Sequence, residues 1–166
     1  STLSSNILLI SRLENQEIVA QKERFQLDEQ IRQSIVMLEP KWSEKELEFD
    51  VDMVDVEYLG NENLICHVWD NLLSNAIKFS PCGGTIYIRM MPEGEKIRFS
   101  IENEGPQIRE DSMKHIFDKF YQCDSSHKQE GNGLGLALVK QILNLCKGTI
   151  FVENIPGSGC RFTVIL

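Results

Sequence analysis

An α+β fold, with one mixed or antiparallel sheet and helices on one face, is what this sequence predicts. Three observations carry that expectation. Several stretches alternate apolar and polar residues and pair off across turn signals as hairpins. Longer stretches with apolar residues at helical spacing lie between them. The chain has 166 residues, 42% of them hydrophobic, which suits one domain or one domain with a short extension.

The elements follow in order. Ser4 or Ser5 caps a first helix, whose Ile7, Leu8, Ile10, Leu13 and Ile18 form one broad apolar face. Lys22 to Leu27 is short and extended. Asp28 is an N-cap for a second helix, with Ile31, Ile35 and Leu38 at helical spacing and Pro40 as its limit. Glu46 to Val51 alternates as a strand, and Val56 to Leu59 reads as its partner, ended by Gly60-Asn61. A third helix starts at Asn61 or Asn63 and runs to Phe79, with Ile65, Val68, Leu72, Ala76 and Phe79 as its apolar stripe. Pro81-Cys82-Gly83-Gly84 stops it. Thr85 to Met91 and Lys96 to Glu102 form a hairpin across Pro92 to Glu95. A polar stretch from Glu104 to Asn132 holds one aromatic cluster. Leu134 to Lys147 is a fourth helix closed by Gly148 as its C′ residue. Thr149 to Asn154 and Cys160 to Leu166 form the last hairpin, around Pro156-Gly157-Ser158-Gly159.

Charge narrows the function classes. Lys+Arg is 17 and Asp+Glu is 25, a net of -8. Nucleic acid is thereby disfavoured, because binding it needs basic side chains to displace counterions. A single phosphate group is not excluded, since backbone N–H groups bind one without net charge. The five cysteines (Cys66, Cys82, Cys123, Cys146, Cys160) are odd in number and contain no CxxC. That argues against a disulfide framework or a zinc ribbon, and for buried free thiols in a reducing compartment. No apolar run approaches the roughly 20 residues of a membrane span, and Ser1 to Ser5 has no basic character. The expectation is a cytoplasmic chain without membrane contact of its own, whatever anchors a longer parent.

Two motifs carry chemistry. Asn71, Asn75 and Lys78 stand at i, i+4 and i+7 of the third helix and share one face. A carboxamide oxygen can ligate Mg²⁺, and an ammonium supplies a point charge to phosphate. The same residues would equally serve as the solvated face of an amphipathic helix. Gly131-Asn132-Gly133-Leu134-Gly135-Leu136 runs alternating glycines into a helix start. Glycine permits close backbone approach, and the helix N-terminus offers unpaired N–H groups. No apolar strand precedes it and no Gly-Lys-Ser/Thr ends it, so it is neither a dinucleotide fingerprint nor a P-loop. A flexible loop with glycine hinges would look alike. Two further segments are Ile101 to Ile108 at a strand end, and Ile116 to Tyr121, where Phe117, Phe120 and Tyr121 at i, i+3, i+4 form an aromatic face.

In this order and spacing the segments resemble the ATP-binding catalytic domain of bacterial sensor histidine kinases, in the GHKL (Bergerat-fold) superfamily. NLLSNAIKFS resembles the N box, IENEGPQI the first glycine box, IFDKFYQCD the F box and GNGLGLALVKQI the second glycine box. GTIFVENIPGSGCRFTVIL is similar to the closing hairpin. The resemblance implies a two-layer α/β sandwich, its sheet mixed but mostly antiparallel, with ATP between helices and sheet. It implies Mg²⁺ on Asn75, Asn71 near the phosphates, phosphate contacts from Lys78 and from the backbone of Gly133, Leu134 and Gly135, nucleotide binding by Gly131 and Leu136 of the same box, and Phe79 beside the nucleotide. Asn103 and Gly105 stand in the base-binding segment, Tyr121 in the F box, and about Gln122 to Asn132 in the lid.

The departures matter too. Asn103 replaces an Asp that accepts a hydrogen bond from the adenine amino group. A neutral acceptor is about half as strong as a charged one, so weakened ATP binding is expected. Gln107 replaces a glycine, and Gln122 stands where many relatives have Arg or Lys. Asn71 stands where hydrolytic relatives have a water-activating Glu, which favours phosphoryl transfer over hydrolysis. No catalytic residue is assigned, because none of His67, His115 and His127 has the surroundings of the phosphoacceptor. Residues 1–24 resemble the end of the dimerisation and phosphoacceptor helices, and 25–166 the catalytic domain. The implied partners are that acceptor domain and a response regulator, in a parent homodimer of which this piece is monomeric. The alternative is a degenerate domain, weak in ATP binding, that serves as a regulatory protein-binding module.

Overall fold

A computed structural model describes residues 2–15, 21–121 and 133–166 of the chain. In chain order it contains α1 (Thr2–Glu14), β1 (Glu23–Gln26), α2 (Leu27–Met37), α3 (Glu39–Glu44), β2 (Glu48–Met53), β3 (Glu57–Gly60) and α4 (Glu62–Phe79). Then follow β4 (Thr85–Glu93), β5 (Lys96–Asn103), α5 (Glu110–Met113), α6 (Gly135–Leu145), β6 (Thr149–Asn154) and β7 (Cys160–Ile165).

Five strands form one sheet in the order β2-β4-β5-β7-β6. In this sheet the β2–β4 pair is parallel and the β4–β5, β5–β7 and β6–β7 pairs are antiparallel. Ile86, Ile88, Met90, Phe99, Ile101, Phe162 and Val164 point to one side and are buried. Their alternates Tyr87, Arg89, Ser100, Glu102 and Arg161 are half-exposed on the other side. The period of two thus gives the sheet one apolar face, and the helices cover that face. α4 supplies the broadest contribution, burying Leu64, Ile65, Val68, Trp69, Leu72, Leu73, Ala76 and Ile77. The Trp69 ring stacks at a tilt on Phe99 of β5, centroids 4.6 Å apart, and its Nε1–H donates to Gln30 of α2 at 2.8 Å. The expected α+β two-layer sandwich, helices on one face, is the fold observed.

Several local expectations change. β3 pairs with β1, not with β2, placing Phe25 opposite Tyr58 as an edge-on aromatic pair. Alternation identifies a strand but not its partner. Here the Leu27 N–H donates to the Val56 carbonyl at 2.8 Å and draws β3 to the start of α2. Asp28 is not the N-cap: α2 begins at Leu27, and the buried Asp28 carboxylate accepts from Val56 N–H and pairs with Arg32. Ser4 and Ser5 lie inside α1. On α1 only Ile10 and Leu13 of the proposed apolar face are buried; Ile7 and Leu8 are exposed, and Ile18 is outside the described residues. The second helix stops short of Pro40, at Met37, and Pro40 then stands in the first turn of α3, where a missing N–H costs nothing. The left-handed residue closing α6 is Lys147 (φ 60°); Gly148 follows and donates its N–H to Leu143 at 2.7 Å. Among the described cysteines only Cys160 is buried; Cys66 and Cys146 are half-buried and Cys82 is exposed.

Candidate functional site

Asn61 caps α4 by accepting from the Leu64 N–H at 3.0 Å. The helix turns its buried side to the sheet, which leaves Asn71, Asn75 and Lys78 half-exposed along one edge. The Asn71 amide nitrogen donates to the His67 carbonyl at 2.7 Å, one turn back. Its oxygen therefore points away from the helix, toward the start of α6. A Cβ placed on Gly135 would lie 2.8 Å from that oxygen. The two motifs, separated by some sixty residues of sequence, are thus in contact.

The start of α6 has no side-chain cap: Leu134 precedes it and is buried, so the first-turn N–H groups rely on other partners. Gly133 just before it has φ 72°, and its carbonyl accepts from the Phe120 N–H at 3.0 Å. A Cβ there would meet the Phe120 backbone at 2.6 Å. Leu136 is half-exposed within the first turn of α6.

The far end of the site forms where β5 ends. Asn103 is buried, 2% exposed, between Ile86 of β4 and Cys160 of β7. Its Nδ2 donates to the Glu104 carbonyl at 2.9 Å, and its Oδ1 accepts a weak bond from the Cys160 thiol at 3.9 Å. Gly105 (φ 118°) brings the loop against α4, where a Cβ would fall 2.6 Å from the Phe79 carbonyl oxygen. Lys78 Nζ sits 5.1 Å from the centre of the Phe79 ring. Asn71, Asn75, Lys78, Phe79, Asn103, Gly105, Gly133, Leu134, Gly135 and Leu136 therefore gather around α4 and its two neighbouring loops. Gly131 and the lid segment 122–132, with Gln122, Cys123 and His127, lie outside the described residues.

The aromatic face is not formed. Residues 114–120 are turns rather than helix, so the i, i+3, i+4 relation has no meaning there. Phe117 packs edge-on to Phe162, Phe120 is exposed, and the Tyr121 hydroxyl donates to Ser112 at 2.9 Å. His115 pairs with Asp118 at 3.0 Å on the surface. His67 is half-exposed on α4.

Sequence reasoning missed the residues that hold this site in place. Lys45 donates to the Ile77 and Lys78 carbonyls at 2.7 and 3.0 Å, satisfying orphan acceptors at the end of α4. Asn154 brackets Ile108, accepting from its N–H at 2.8 Å and donating to its carbonyl at 2.7 Å. Ser158 accepts from the Gly105 N–H at 3.1 Å. Gln107, which replaces a glycine of the family pattern, donates to the Ile155 carbonyl at 2.6 Å and ties the loop to the last hairpin. No local signal could have found these contacts, which span 32 to 53 residues.

Residues 60–166 match the family described as histidine kinase-, DNA gyrase B-, and HSP90-like ATPase. The heme sensor protein HssS of Staphylococcus aureus strain JH9 is 35% identical over all 166 residues, which cover 36% of that protein. The chain spans about a third of the length of the curated relatives it matches. The full-length ShkA structure in complex with AMPPNP superposes with a TM-score of 0.86 at 26% identity, covering 99% of this chain and 35% of that one. Histidine kinase ThkA, solved in complex with the response regulator protein TrrA, superposes at 0.78 with 25% identity, covering 99% and 48%. Among the described residues no group of three His, Cys, Asp or Glu could hold a metal, and no helix is long and apolar enough to cross a membrane. By its fold, the gathering of its motifs and its relatives, the chain belongs to the histidine kinase-, DNA gyrase B- and HSP90-like ATPase family, as an ATP-binding catalytic module of the sensor histidine kinase type.

Proposed function

We propose that this module binds Mg²⁺–ATP and transfers the γ-phosphoryl group to a histidine on an upstream domain, for relay to a response-regulator aspartate. The observation that carries the proposal is the contact between Asn71 of α4 and Gly135 at the start of α6. It aligns the polar edge of one helix with the N–H groups of another, a natural seat for phosphates. Lys78 adds a positive charge to that edge, and Gly133 and Leu134 bring backbone close to it.

That the described residues hold no acidic metal cluster does not oppose magnesium, because Mg²⁺ uses one or two protein ligands and takes the rest from phosphate and water. Asn75, half-exposed and with no side-chain hydrogen bond among the described residues, has an oxygen available for it. When bound, the ion would neutralise charge on the transferring phosphoryl group. Asn71 cannot take a proton at neutral pH, so it cannot serve as the base that activates water. The residues instead position and stabilise, and the nucleophile comes from outside.

On this reading residues 1–24 are the end of the acceptor helices and 25–166 the catalytic domain. Docking of Ile10 and Leu13 in the core and the Glu14–Lys119 pair at 3.0 Å support a real junction between them. The module works in the cytoplasm; the parent is a homodimer and this piece a monomer. ThkA, which was solved with a response regulator, supports a partner of that kind. The test is labelled ATP with a supplied acceptor domain. Acid-labile histidine labelling is expected, with little phosphate release. Regulator binding without labelling would replace this reading with that of a regulatory binding module.

A further inference from the structure

Asn103 is a buried carboxamide whose hydrogen-bonding capacity is half used. An Asn side chain has two N–H donors and two acceptor lone pairs. One N–H goes to the Glu104 carbonyl at 2.9 Å, and one lone pair takes the weak Cys160 thiol bond at 3.9 Å. The orientation follows from the network. Reversing the amide would set its oxygen against the Glu104 carbonyl oxygen. One N–H and one lone pair remain, at the end of β5, beside the Gly105 loop that packs on Phe79.

A purine edge can meet these two groups in two ways. The 6-amino group of adenine donates and finds the carboxamide oxygen. The 6-oxo group of hypoxanthine accepts and finds the N–H. A carboxylate at this place could only accept, and would repel a 6-oxo group. We infer that Asn103 makes this a dual-purine site, which accepts 6-oxopurine as well as 6-aminopurine nucleoside triphosphates. The inference rests on the proposed nucleotide site and adds its base selectivity.

Calorimetric titration of the chain with the Mg²⁺ complexes of ATP, inosine triphosphate and purine riboside triphosphate tests it. The last has no 6-substituent. ATP and inosine triphosphate should bind within about tenfold of each other, and purine riboside triphosphate more weakly than both, because a contacted polar group is left unpaired. Asn103→Asp should widen the preference for ATP to about a hundredfold or more, by setting like partial charges together. Should that variant not fold by circular dichroism, the wild-type series decides alone. Rejection of inosine triphosphate by a hundredfold while ATP binds would overturn this inference and leave the nucleotide site standing. So would equal binding of purine riboside triphosphate. Failure of all three to bind would overturn the site itself.

Discussion

Replacing Gly133 by alanine tests the proposed phosphate-binding loop directly. At φ 72° an L-residue costs about 1–2 kcal/mol. The new Cβ would lie 2.6 and 2.8 Å from Phe120 backbone atoms and 2.9 Å from the Tyr121 carbonyl oxygen. Backbone on every side cannot rotate away, so the loop must shift. The hydrogen bond from Phe120 N–H to Gly133, 3.0 Å, is then lost at about 1 kcal/mol. Together this predicts a loss of about 2–3 kcal/mol, reduced by the roughly 0.4–1 kcal/mol that alanine recovers by stiffening the unfolded chain. Gly94 is the internal control. It has φ 65° in the β4–β5 turn, at the opposite end of the sheet strands from Asn103, and a Cβ there meets nothing within 4 Å. Gly94→Ala carries the dihedral cost alone. Urea unfolding should separate the two variants by about 1 kcal/mol, the value of the extra bond. Titration with Mg²⁺–ATP should show at least a tenfold loss for Gly133→Ala and none for Gly94→Ala. Equal ATP affinity in the two variants would refute the claim that this loop backbone seats the phosphates.

Other outcomes follow from the same geometry. Asn75→Ala should fold with stability within about 0.5 kcal/mol of the parent, since the side chain is half-exposed and bonds to nothing described, yet lose Mg²⁺-dependent ATP affinity. Unchanged affinity with and without Mg²⁺ would remove Asn75 as the ligand. Lys45→Met should weaken ATP binding indirectly, by freeing the carbonyls of Ile77 and Lys78; a stability loss of about 1–3 kcal/mol should accompany it in denaturant titration. Asp28 gives a pH signature. Burial pushes its carboxyl up, but the Val56 N–H and Arg32 outweigh this and hold it below the ordinary aspartate value. Its stabilisation is present above about pH 4, where the unfolded aspartate is ionised, and fades as pH falls through the lower folded value. The stability curves of the parent and Asp28→Ala should therefore converge in acid; curves that stay parallel would show that the carboxylate carries no such stabilisation.

Much of this protein is written in local pattern. Period-two alternation is enough to place the hairpins of β4–β5 and β6–β7, because a strand with one apolar side has only one way to face a core. The stripe on α4 and the cap at Asn61 are equally local, and so is the edge of Asn71, Asn75 and Lys78, since helical spacing alone sets it. The glycine pattern before α6 announces a backbone that must come close to something.

What it comes close to is decided only in three dimensions. The approach of Gly135 to Asn71 exists because α4 and α6 lie side by side over one sheet, and that of Gly105 to Phe79 because α4 packs on β5. The partner of β3 depended on a backbone bond from the start of α2, and the clamps of Lys45, Gln107, Asn154 and Ser158 reach across distant sequence. The free half of the Asn103 carboxamide is likewise set by the Glu104 carbonyl and the Cys160 thiol across the sheet. Propensity and periodicity act through near neighbours along the chain. Hydrogen bonds between distant segments depend on where packing puts their donors and acceptors, and no stretch of sequence contains that information alone.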